Sequence, residues 1–74
     1  MERKHKDAYI QMGRKVAQYR KQKGLTQKVL AEKIGKSSAY IGQIEAPGIT
    51  RAISLDTLFD IAECLEIAPY KLLK

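Results

Sequence analysis

Apolar side chains recur along this chain every three or four residues, the interval that gathers them onto one face of an α-helix. No segment alternates with the two-residue period of a strand, so the pattern predicts an all-α fold. A first helix is expected from about Ala8 to Gln22, with Tyr9, Met12, Val16 and Tyr19 along its inner side. Lys23-Gly24 stops it, since glycine closes a helix in the left-handed conformation without a steric penalty. Thr26 is placed to cap a second helix carrying Leu30, Ala31 and Ile34, which Gly35 ends. Ser37 caps a third, with Ile41 and Ile44 inward, and Pro47-Gly48 follows its end. Residues 46–53 read as a loop from their Pro, Gly and Thr content. Ser54 caps a fourth helix whose apolar stripe is Leu55, Leu58, Ile61, Ala62 and Leu65. Pro69 suits the first turn of a short fifth helix containing Tyr70, Leu72 and Leu73, where its missing N–H costs nothing. The expected architecture is a compact five-helix bundle over residues 8–74, preceded by a basic N-terminal tail at 1–7.

The stretch from Gln27 to Ala46, QKVLAEKIGKSSAYIGQIEA, is more specific than the rest. Two helices that cross steeply over a tight turn need a small residue at their approach and a positive φ between them. They also need branched apolar residues on the second helix to fill the angle. Ala31, Gly35 and the pair Ile41 and Ile44 meet these needs in order, and Leu30 and Ile34 complete the wedge.

Charge sharpens the picture. Of the 14 Lys and Arg residues, 11 lie in residues 1–36 beside 3 of the 8 acids, so that half carries 11 − 3 = +8. Residues 37–74 carry 3 − 5 = −2. A polyanion would be steered by such polarity, and its counterions released on binding. Seventy-four residues suit one domain. No apolar run approaches the roughly 20 residues that span a bilayer, and MERKHKDAY has no signal-peptide core. A cytoplasmic protein is expected.

The phrases RKVAQYRKQKGLTQKVLAEKIG, YIGQIE and SLDTLFDIAECLEIAPYKLL resemble the phage-repressor-like Cro/CI helix-turn-helix domains, the XRE family. The resemblance runs from about Gly13 to Leu73. It implies a five-helix, lambda-repressor-like domain that docks its second motif helix, about Ser37–Ala46, in the major groove of double-stranded DNA, as a homodimer on a palindromic operator. It also implies roles residue by residue. Ser38, Ala39 and Gln43 match positions that face base edges, and a glutamine can bond bidentately to adenine. Gln27, Lys36, Ser37 and Tyr40 match positions beside the DNA backbone. Arg20 and Glu45 match a structural pair bridging the first helix to the end of the recognition helix. The sequence departs from the family in two places. Val29 stands where many relatives carry the Glu of a capping box, and the first-turn Lys28 opposes the helix dipole while suiting a phosphate. The loop APGITRAI holds Arg51 as its only charge, so Arg51 is its candidate backbone contact.

Other chemistries find little support. Cys64 lies on the apolar side of the fourth helix and reads as core, while the lone His5 has no ligand partners, so neither a metal nor a cofactor is expected. Ser38, Asp56 and His5 form no catalytic spacing, and no phosphate loop is present. An enzyme is not expected. Gln11, Gln18 and Gln22 argue against a membrane-surface role for the basic first helix. Phe59, Tyr70 and Leu73 exceed what a small core needs and are the candidate dimer interface. The function expected is a transcriptional regulator acting as a repressor. The alternatives are an antitoxin that holds a partner protein such as a toxin, and a controller protein of a restriction–modification system.

Overall fold

Three helices open on a hydroxyl at the expected place. In the computed structural model, which describes residues 5–46, 48 and 52–73, Thr26 Oγ1 accepts from the Val29 N–H at 3.1 Å. Ser37 Oγ accepts from the Tyr40 N–H at 3.1 Å, and Ser54 Oγ from the Thr57 N–H at 3.2 Å. Each bond satisfies an amide that the first helical turn leaves without an acceptor. These caps start α2 (Gln27–Lys33), α3 (Ser38–Glu45) and α4 (Leu55–Leu65). α1 (Lys6–Gln22) begins two residues before Ala8, so Lys6 and Asp7 are helical. His5 is the N-cap residue of α1, and residues 1–4 of the expected tail lie outside the described residues.

The described residues hold four α-helices and no strand. The expected fifth helix is a single 3₁₀ turn, η1 (Pro69–Leu72), closed by the bonds Lys71 N–H to Ala68 O and Leu73 N–H to Tyr70 O, both 3.0 Å. Four residues are too few for an α ladder, and the tighter bonding pattern replaces it.

α1, α2 and α4 all end in one way. An amide two or three residues past each end reaches back five residues: Leu25 to Arg20 at 3.0 Å, Lys36 to Ala31 at 2.9 Å, and Ile67 to Ala62 at 3.0 Å. The residue before that amide is left-handed in each case: Gly24 at φ 77°, Gly35 at φ 71° and Glu66 at φ 58°. Glu66 carries a Cβ and adopts this conformation at a cost of about 1–2 kcal/mol. Its carboxylate pairs with the Lys23 ammonium, tying the end of α4 to the end of α1.

The core is Val16, Leu30, Ala31, Ile41, Ile44, Leu58, Ile61, Ala62, Leu65 and Leu72, with Met12, Tyr19, Ile34, Cys64 and Ile67 packed against it. Leu55 does not belong to it. It is 66% exposed, because the buried stripe of α4 centres on Ile61 and the helical rotation carries Leu55 to its flank. Thr57 takes the inward place, its hydroxyl 3.0 Å from that of Ser54.

α2 packs chiefly on α3, and α1 crosses the C-terminal end of α3. At that crossing a Cβ on Gly13 would stand 1.9 Å from the Ile44 carbonyl oxygen. Only glycine admits this approach, and the obstacle is backbone that no rotamer change can move aside. Gly13→Ala should therefore lower unfolding stability by about 2–3 kcal/mol, the scale of a forced overpacking. Urea denaturation measures this. A loss under about 0.5 kcal/mol would mean the helices do not meet there.

Candidate nucleic-acid interface

Ile41 and Ile44 turn one face of α3 into the core, and the helical period sends Ser38, Ala39 and Gln43 to the opposite side. All three are exposed. Ser37 is exposed as well, and its Oγ is occupied as the acceptor of the Tyr40 N–H, leaving its own proton to donate. The first turn of α3 presents amides that have no acceptor within the helix, so this end carries partial positive charge. Lys28 and Lys36 are exposed on the neighbouring elements. The Lys36 ammonium lies 5.4 Å from the centre of the Tyr40 ring, and that half-buried ring gives it a support. Arg51 lies outside the described residues.

Two expected residues are joined by a buried tie. Arg20 Nε donates to Glu45 Oε2 at 2.7 Å and Nη2 donates to Glu45 Oε1 at 3.0 Å, a fork on a carboxylate. Nη1 donates to the Leu25 carbonyl at 2.7 Å. α1 and the turn after it are thus fastened to the last residue of α3. Among the described residues no buried side-chain nitrogen or oxygen is left without a partner, which makes this burial of charge tolerable.

Gln27 joins the same network, a contact that no local pattern in the residues signals. Its Nε2 donates to Glu45 Oε1 at 3.0 Å, so the residue matched to a phosphate contact also touches the end of α3. Its Oε1 lies 3.5 Å from where a Cβ on Gly42 would sit. A residue without a side chain on that face of α3 leaves room for the glutamine.

Two helices joined through Gly35, with an exposed outer face on the second and this tie behind it, make a complete helix-turn-helix. A helix-turn-helix family model matches residues 16–72. The chain belongs to the XRE-type helix-turn-helix family.

Solved structures share the fold of this helix-turn-helix protein. The restriction–modification controller protein C.AhdI from Aeromonas hydrophila superposes with a TM-score of 0.84 at 30% identity, over 95% of this chain and 99% of its own. The hypothetical transcription factor NHTF from Neisseria superposes with a TM-score of 0.83 at 24% identity, over 100% of this chain and 83% of its own, a likeness of fold. No curated protein matches the chain. No helix among the described residues is long and apolar enough to cross a membrane. The helix-turn-helix protein is a DNA-binding regulator. The family match starts at Val16, so Gly13 and the N-terminal half of α1 lie outside it.

The tie should matter for the fold. Removing Arg20 or Glu45 alone strands its partner's charge in a buried place and should cost about 3 kcal/mol. The double mutant should lose less than the two singles added together. A thermodynamic cycle by thermal or urea unfolding measures the difference, and additive losses would mean the side chains do not act on each other.

Proposed function

We propose that this helix-turn-helix protein is a cytoplasmic, non-catalytic repressor that binds a palindromic operator as a homodimer. The observation that carries the reading is the outer face of α3: Ser38, Ala39 and Gln43 exposed together, with Lys28 and Lys36 beside them. Gln43 reads a base edge. Ser38 and Ala39 are short, and they contribute through water, a thymine methyl and DNA shape. Gln27, Lys28, Lys36, Ser37, Tyr40 and Arg51 contact the backbone of the duplex. The −2 half, residues 37–74, carries the proposed dimer face, which keeps the two +8 halves from meeting head on.

A single motif helix reads few base pairs, and a second half-site supplies the missing specificity. Phe59 (50% exposed), Tyr70 (55%) and Leu73 (59%) are the proposed interface, and Leu55 (66%) extends it along α4. Two recognition helices would then stand about 34 Å apart, one turn of B-DNA. Sedimentation of the free protein and of its operator complex decides this. One protomer per operator would overturn the homodimer and favour a chain that holds a partner protein.

A second reading has an observation of its own. The likeness to C.AhdI runs over nearly the whole of both chains and favours a restriction–modification controller. A methyltransferase gene beside the gene for this chain would select it.

On a site selected from random duplex DNA, Gln43→Ala should weaken binding by about 1–3 kcal/mol and relax preference at one base pair. Lys36→Ala should weaken cognate and random DNA alike and reduce the salt slope by about one unit. Fluorescence anisotropy titrations at several salt concentrations separate the two. Equal losses on both DNAs for Gln43→Ala would remove it as a base reader.

A further inference from the structure

We propose that Gln27 is a positioning residue that sets how α3 presents its base-reading face, in addition to any contact with the DNA backbone. This rests on the reading of α3 as the recognition helix. Gln27 is the first residue of α2, and α2 packs chiefly on α3. Its Nε2 reaches Glu45 Oε1 at 3.0 Å, the same oxygen that accepts from Arg20 Nη2 at 3.0 Å. Glu45 therefore gathers donors from α1 and from α2 on one carboxylate. Arg20 is fixed from behind by the Leu25 carbonyl at 2.7 Å and holds the end of α3 against α1. Gln27 supplies the second direction of restraint. Two restraints from different elements, added to the packing of Ile41 and Ile44, resist a small turn of α3 about its own axis better than one tie does. The side chain of Gln27 also lies along Gly42, the residue next to Gln43. A small rotation of α3 there would carry the Gln43 amide off the base edge, because a bidentate bond tolerates little misalignment.

A phosphate contact and a positioning residue differ in what their loss does to discrimination. A lost phosphate contact weakens cognate and random DNA equally, since phosphates carry no sequence information. A lost restraint on α3 weakens cognate DNA alone. Gln27→Ala should therefore lower the ratio of cognate to random affinity about tenfold, within the range of one base contact. Random affinity should change far less. Arg20 and Glu45 remain paired in this variant, and its melting curve checks that it folds. Gln27→Lys should return the ratio towards that of the natural protein, because an ammonium can donate to the same Glu45 oxygen. The ratio is read in this variant, since added positive charge raises affinity for all DNA.

In the Gln27→Ala, Gln43→Ala double mutant the ratio should fall little below that of Gln43→Ala alone. Once the base is unread, misplacing the reader has no further effect. Equal losses on cognate and random DNA for Gln27→Ala, or independent losses in the double mutant, would overturn the proposal. If the natural protein itself shows no preference among DNA sequences, the reading of α3 fails first, and that outcome is distinct from the others.

Discussion

A buried carboxylate at the end of α3 holds the site together. Glu45 is the last residue of α3, and it receives Arg20 from α1 and Gln27 from α2. The arrangement is not a large source of stability. Two desolvated charges recover by attraction little more than they lose in hydration. Its value is directional, since a planar guanidinium on a planar carboxylate fixes angle as well as distance. Hydrophobic burial at Ile41 and Ile44 presses α3 onto the core and sets which face turns inward. The polar ties at Glu45 add direction at its C-terminal end. Gly13 acts on the same end from α1, by letting backbone approach backbone at Ile44.

Charge and apolar surface are divided to match this mechanics. The exposed Lys28 and Lys36 stand on α2 and at the turn beside the exposed face of α3. The large exposed apolar residues Leu55, Phe59, Tyr70 and Leu73 are on α4 and η1, within the half that carries −2. One region is basic and another is apolar, and different elements supply them.

Much of this was legible in the residues. Thr26, Ser37 and Ser54 announced three helix starts, because a hydroxyl before a helical apolar pattern has a local job that neighbours do not alter. Gly24 and Gly35 announced two stops on the same ground. Glu66 did not, for its left-handed backbone is imposed by the chain reversal after α4 and leaves no mark in residue type. The 3₁₀ character of the short last helix and the exposure of Leu55 also escaped, since both depend on where the bundle ends. Arg20 and Glu45, 25 residues apart, were legible through the family resemblance. Gln27 to Glu45 and Gly13 to Ile44 are tertiary contacts with no periodic signature. A lone glycine inside a helical pattern was the one available hint of a close crossing.

The proposed contact with DNA runs through the outer face of α3, braced by the network at Glu45. Amide chemical shifts of the labelled protein, followed while duplex DNA is added, locate that contact residue by residue. The free protein at matched concentration serves as reference. The largest changes are expected at Thr26–Lys28 and Lys36–Gln43, with the outer face of α4 at Asp60 and Glu63 unmoved. Changes centred on α4, with α3 silent, would contradict it.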